Sequence, residues 1–374
     1  MPYCIRGRVI LGFLALFFLL CTQANALEVD AKAAILLEPV TGTVIYEKNP
    51  DQILPIASTT KILTGIIAIE MGDINEKVVV SERAANTGEA SIHLIEGETI
   101  ELRDLLLGLL IKSGNDSAVA IAEHIAGSVE DFCHLMNKKA ISIGANSSNF
   151  VNPHGLPDHR HYSNARDLAK IANYAMENGY FAELVQIRNA TIPYPEGGTR
   201  FLKNTNKLLK SMPDCIGIKT GTTNKAGPCL VAAAERDNTR MISVVLNSPD
   251  RFGETEKILN YGLDKYKFKE IISEGDIIKR LEFSSGKPNR INAFASEGFI
   301  YLVEREKKDL IRTEVELHPK HLPILKGDVI GEVNIYLGEE LLGSVNALAS
   351  ESVEYSIMEH MRNFGRDLKL KLEL

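Results

Sequence analysis

A change of hydrophobic period near Tyr266 constrains this chain more than any other feature. It separates a part in which helices and strands interleave from a part in which side chains alternate in twos. In the first part, "AAILLEPVTGTVIYEK" (33–48) reads as two short strands around a turn at Pro39 to Gly42. Ile62, Ile66, Ile67 and Ile69 recur at helical spacing and start a buried helix close to Ser58. Further helices are expected at Leu102 to Lys112, Asp116 to Ala126, Val129 to Ile143 and Ala165 to Asn178. Strand-like segments return between Ile216 and Asn247, as "IGIKTG", "CLVAAAE" and "RMISVVLN". From Ile271 to Ala349 the alternation is clearest in Val333, Ile335 and Leu337 against Glu332, Asn334 and Tyr336, with a turn at Gly338 to Glu340. The expected class is α/β (α+β): an antiparallel sheet with a helical subdomain, followed by a small all-β domain.

The two ends differ from everything between them. Arg6 and Arg8 precede an apolar run from Val9 to Leu20, and Ala24, Asn25 and Ala26 close it. That run is short for a membrane span and ends in the small residues a signal peptidase needs, so it reads as a cleaved export signal. A lipoprotein site at Cys21 is disfavoured by the bulky Leu20 before it. At the other end Ile357, Met361, Phe364, Leu368 and Leu372 share one helical stripe. Two readings fit that stripe: an anchor lying in a membrane face, or a short helix packed on its own protein.

With 374 residues and 45% apolar content the chain can bury two cores. Its 49 acidic residues outnumber 42 basic ones, two of which leave with the signal, so no nucleic-acid partner is indicated. Cys133, Cys215 and Cys229 remain after cleavage, none at metal-ligand spacing, and their odd number leaves at least one free thiol.

Three short patterns can carry chemistry. Ser58 and Lys61, in "PIASTTKILT", stand three apart where a helix begins. Side chains so spaced share a face, about 5–6 Å apart at Cβ, so the lysine can reach the serine. A serine hydroxyl needs a group to take its proton. Lys61 can serve only if burial or another cation lowers a pKa that starts at about 10.4. Ser284 to Lys287 has the same spacing, but "SSGKPN" reads as a surface turn.

Ser113, Gly114 and Asn115 break two helical segments in "IKSGNDSA". As structure, Asn115 or Asp116 caps the next helix; as chemistry, a serine and an amide on one turn offer a proton relay and a carbonyl ligand. Lys219, Thr220, Gly221 and Thr222, in "GIKTGTTNKAG", sit on a strand running into a turn. There Lys219 can supply the cation that Lys61 needs and hold a carboxylate, while Gly221 admits a close neighbour.

Serine-x-x-lysine, serine-x-asparagine and lysine-threonine-glycine, in that order, match the serine acyl-transferases that bind penicillin. The chain resembles the low-molecular-mass penicillin-binding proteins that are D-alanyl-D-alanine carboxypeptidases, of the DD-peptidase/β-lactamase superfamily. The resemblance runs through the opening hairpin, "ASTTK", "SGND", "NPHGL" with "YSNARD", "IKTGTTNKAG" and "ETEKILNYGLD", and on into the β domain and tail. It implies a signal peptide at 1–26, a catalytic domain at 27–268, an all-β domain at 269–354 and an amphipathic tail at 355–374. It further implies Ser58 as acyl-enzyme nucleophile, Lys61 as base and Ser113 as proton relay. Asn115 would bind the peptide backbone, and Lys219, Thr220 and Gly221 the region of the terminal carboxylate. The N–H groups of Ser58 and Thr222 would form the oxyanion hole, and Arg251 would lie near the carboxylate unless it pairs with Glu254. The implied partners are peptidoglycan stem peptides, with β-lactams as inhibitors, outside the cytoplasm; no cofactor and no metal are implied.

Two distractions are set aside. His154 and Asp158 suggest a Ser-His-Asp triad, yet they lie in a proline- and glycine-marked loop and the lysine already fills the base role. Glu256 to Asn260 matches a glutamate-x-x-leucine-asparagine pattern of some lactamases but follows Lys219, where those enzymes have it earlier. A β-lactamase and a non-catalytic wall-binding protein stand as the alternatives.

Overall fold

The computed structural model describes residues 27–318 and 322–355. The expected signal segment and all but the first residue of the expected tail lie outside these. The opening hairpin is present as β1 (Ala33–Glu38) and β2 (Thr43–Lys48). After it, a single 3-10 turn at Ala57–Thr60 leads straight into α1 (Lys61–Met71), so Ser58 sits in the first turn of a buried helix. A two-strand pair, β3 (Lys77–Val79) with β4 (Thr99–Glu101), precedes α2 (Leu102–Leu107), which widens into a π-turn over Gly108–Lys112. Three longer helices, α3 (Asn115–Ala126), α4 (Val129–Ile143) and α5 (Ala165–Glu177), lie within a residue of expectation, and α6 (Gly179–Gln186) follows them unannounced by the pattern. A hairpin, β5 (Asn189–Tyr194) with β6 (Gly198–Lys203), was also unexpected.

The sheet resumes as β7 (Cys215–Thr223), β8 (Gly227–Arg236) and β9 (Thr239–Leu246), and α7 (Arg251–Lys265) follows. Together with the first hairpin these strands form one antiparallel sheet in the order β2-β1-β9-β8-β7. Alternate side chains face opposite sides. Ile35, Val231, Ala233 and Val244 join the helical block, whereas Leu36, Leu230, Ala232 and Val245 pack with Ile258, Leu259 and Leu263 of α7. Both faces are covered, which is why β8 reads as a continuous apolar run rather than an alternating one. β7 is left as an end strand, and its free edge lies against the turn that holds Ser58.

β10 (Tyr266–Ile272) continues from α7 and pairs with β14 (Phe299–Glu304); between them come β11 (Ile277–Glu282), β12 (Gly286–Lys287) and β13 (Arg290–Ala295). β15 (Ile311–Leu317), β16 (Val329–Leu337) and β17 (Glu340–Ala349) complete an antiparallel sheet in the order β11-β13-β17-β16-β15, and β18 (Glu354–Tyr355) pairs with β12. The period-two reading holds in part: Val333 and Ile335 are buried with Val345, but Asn334 is buried too and Leu337 only half-buried, and the chain reverses at Gly338. Ser284 is exposed on the bend before β12, as its turn residues required.

Candidate active site

Lys61 is wholly buried, and its ammonium donates to Ser58 Oγ at 3.0 Å, Asn115 Oδ1 at 2.7 Å and the His154 carbonyl at 2.8 Å. Three acceptors fix the nitrogen in place against the hydroxyl. Burial drives the Lys61 pKa well below its ordinary value, and the nearby Lys219 cation lowers it further; Asp116 and Glu89 oppose the shift. A neutral fraction at neutral pH is the condition for a lysine to accept a proton from a serine.

Lys219 projects from β7 with 1% of its surface exposed and donates to the Thr220 carbonyl at 3.0 Å. Its pKa falls to about 7, first through burial and then through Arg251. The positive charge that lowers Lys219 further is the arginine's. Arg251, at the start of α7, donates to the Gly221 carbonyl at 2.7 Å, Thr222 Oγ1 at 2.6 Å and, more weakly, the Cys229 carbonyl at 3.3 Å. Among the described residues it forms no ion pair with Glu254, whose carboxylate instead accepts from the Asp30 and Ala31 amides. Neither Lys219 nor Arg251 has a carboxylate partner among the described residues. Two cations fixed by neutral acceptors form a natural seat for an anion.

Gly221 explains how β7 comes this close to Ser58. A Cβ there would stand 2.9 Å from the Ser58 nitrogen and 3.1 Å from the Ile56 carbonyl oxygen. Thr220 is buried, its hydroxyl 2.6 Å from that of Thr205, and the Thr205 amide is tied to the Ile111 carbonyl. Thr205 is thus a neighbour of the site that no sequence pattern indicated.

Ser113 ends the π-turn in a left-handed conformation (φ 70°) and is buried. The helix-capping alternative for this turn is not what forms: Gly114 holds the cap position of α3 and no side chain caps it. Asn115 turns its Oδ1 to Lys61 and donates from Nδ2 to the Gly88 carbonyl at 2.9 Å. Asp116, fully buried, accepts from the amides of Ile92 (2.9 Å) and Leu94 (3.2 Å) and from Ser91 Oγ (2.6 Å). It thereby pins the 91–94 segment beside the site.

The rejected triad has no geometry. His154 Nδ1 accepts from the Leu156 amide at 3.1 Å, burial and the nearby Lys61 lower its pKa to about 3, and Asp158 bonds Arg160. The lactamase-like pattern lies within α7, where Ile258 and Leu259 enter the core and Asn260 Oδ1 faces Arg236. Cys133, Cys215 and Cys229 are all free and buried. Opposite Cys229 across the β7–β8 ladder stands Gly221, and opposite Cys215 stands Ala234, so the register keeps these two thiols apart.

Comparisons with known proteins match most of the chain. Residues 21–250 match the family model described as D-alanyl-D-alanine carboxypeptidase, and residues 266–355 match that of the penicillin-binding protein 5 C-terminal domain. The D-alanyl-D-alanine carboxypeptidase DacF of Bacillus subtilis is 32% identical over 345 residues, covering 89% of this chain and 88% of the relative. DacC of Escherichia coli is 31% identical over 373 residues, covering 91% and 90%. Among solved structures, penicillin-binding protein 5 of Haemophilus influenzae superposes with a TM-score of 0.70 at 29% identity, covering 87% of this chain and 98% of that one.

Proposed function

The chain belongs to the D-alanyl-D-alanine carboxypeptidases of the low-molecular-mass penicillin-binding proteins and is a serine peptidase acting on peptidoglycan peptides, and from this premise we propose the part each residue plays. Neutral Lys61 takes the proton of Ser58 Oγ as it attacks the carbonyl between the last two D-alanines. The N–H groups of Ser58 and Thr222 receive the oxyanion, and Ser113 relays a proton to the leaving amine. D-Alanine departs, and water hydrolyses the acyl-enzyme. Lys219, Thr220 and Arg251 hold the terminal carboxylate beside Gly221. Asn115 Oδ1, which has a second lone pair beyond the one given to Lys61, accepts from the peptide backbone. β-Lactams acylate the same serine.

The observation that carries this reading is the 3.0 Å contact between Ser58 Oγ and a buried lysine whose pKa is depressed by burial and by a second lysine. A test incubates wild type and Ser58→Ala with a peptide ending in D-Ala-D-Ala and with labelled penicillin. Wild type should release D-alanine and take up label, and the variant should do neither. Label retained on the variant would remove Ser58 from the role.

Export and attachment form part of the proposal. Residues 1–26 act as the signal, 27–268 as the catalytic domain, 269–354 as the all-β domain and 355–374 as a peripheral anchor on the outer face of the membrane. The sequence features at both ends support this, and no described helix is long and apolar enough to cross a membrane. Deleting the chain from Tyr355 onward should release the protein from washed membranes; retention would rule out the tail as anchor.

A further inference from the structure

The loop from Asn152 to His161 meets the first turns around Ser58 at four points, and the catalytic reading uses one of them, the His154 carbonyl on Lys61. The Pro153 carbonyl accepts from Thr64 Oγ1 at 2.6 Å. Gly155 (φ +91°) is pressed so near that a Cβ on it would fall 1.9 Å from the Ala57 oxygen. His161 Nε2 lies 2.8 Å from Thr60 Oγ1.

Proton positions along the last contact follow from its neighbours. The Val151 amide donates to His161 Nδ1 at 3.2 Å, so the ring proton is on Nε2. Thr60 gives its hydroxyl proton to the Ala57 carbonyl at 2.8 Å and therefore accepts from His161. The imidazole is 5% exposed, stands edge-on to Phe150, and burial lowers its pKa to about 4, so it stays neutral.

The chain of bonds ends on a peptide unit that matters. Ala57 has φ 49°, a left-handed conformation that costs a residue with a Cβ about 1 kcal/mol or more. Its carbonyl belongs to the same planar unit as the Ser58 N–H, and in a trans peptide the two point in opposite directions. Whatever fixes the Ala57 oxygen therefore aims the Ser58 N–H. We propose that His161 is a positioning residue of the reaction, aiming the Ser58 N–H at the developing oxyanion through Thr60 and the Ala57 carbonyl. This inference rests on the reading of Ser58 as the nucleophile whose own amide helps bind the oxyanion.

The test uses full-length Thr60→Val, which keeps shape and removes the hydroxyl, with Thr60→Ser, His161→Ala and the double variant Thr60→Val/His161→Ala. Acylation by labelled penicillin and D-alanine release are both followed. Thr60→Val should acylate roughly ten- to a hundredfold more slowly with KM for the peptide little changed, as expected for a donor misaimed only in the transition state. Thr60→Ser should restore the rate, and the double variant should be no slower than Thr60→Val. Wild-type acylation by folded Thr60→Val would overturn the proposal even if His161→Ala fails to fold, as would losses that multiply in the double variant. Labelling of Ser58→Ala would instead overturn the underlying nucleophile assignment.

Discussion

Gly221 and Ser58 meet backbone to backbone: a Cβ on the glycine would come within 2.9 Å of the serine nitrogen. The contact sets the width of the cleft between β7 and the first turn of α1. The proposed oxyanion hole, formed by the N–H groups of Ser58 and Thr222, would depend on that approach.

Gly221→Ala should therefore cut turnover sharply while the protein still folds. The added methyl meets the Ser58 nitrogen, the Ile56 oxygen and Ala57 Cβ, all in fixed structure, so the strand must shift outward by a few tenths of an ångström. A loss of kcat/KM of roughly a hundredfold or more is expected for a displaced oxyanion donor. Circular dichroism and penicillin acylation rates measured side by side check it; near-normal acylation would show that the cleft tolerates the wider spacing.

Lys219→Met should trade activity for stability. The lysine is buried with a pKa of about 7, below the ordinary lysine value, so its protonated form is disfavoured in the folded state. For such a base the penalty is full below pH 7, where both folded and unfolded chains hold the proton. It is relieved as pH rises from about 7 to about 10, where the unfolded chain alone remains protonated. Wild-type stability attributable to this group should thus climb across that window. At pH 7 the methionine variant should be more stable by a few kcal/mol, on the order set by three pKa units. Urea unfolding at pH 6 and pH 9 measures both effects. The variant should also bind the peptide poorly, because the proposed carboxylate seat has lost a cation, and wild-type KM should rise above about pH 7 as Lys219 discharges.

Much of the fold was legible because its signals are local. α3, α4 and α5 carry apolar stripes, and β8 and β9 are apolar runs between turn residues. The hairpin β5–β6 escaped notice because "NATIPYPEGGTRFLK" has one proline in its first strand, and only Ile192, Arg200 and Leu202 are buried. At the site, the need of Lys61 for a second cation pointed to Lys219, 158 positions along the chain, and the structure joins the two electrostatically. Thr205, the His154 carbonyl and the Asp116 clamp on 91–94 were not legible. Each acts through a backbone group or a pairing that only tertiary packing creates. Arg251 lay between: its position was marked, but its choice of Gly221 and Thr222 over Glu254 depended on how α7 docks.

Arg251→Ala should separate recognition of the substrate's carboxylate from chemistry. Its guanidinium is bonded to the Gly221 carbonyl and Thr222 Oγ1, which directs it to the end of β7 where the proposed carboxylate sits. It also helps hold the Lys219 pKa down, so its loss should raise that pKa and keep Lys219 charged to higher pH. Lys219 then partly compensates, and the expected rise in KM for a peptide ending in D-Ala-D-Ala is about tenfold, with kcat changed less. A peptide of the same sequence ending in an amide offers no carboxylate, so wild type and variant should handle it alike. Measuring KM for both peptides, at pH 7 and at pH 9, distinguishes the cases. An equal loss on the two peptides would mean that Arg251 serves to hold the β7 turn in place rather than to bind the carboxylate.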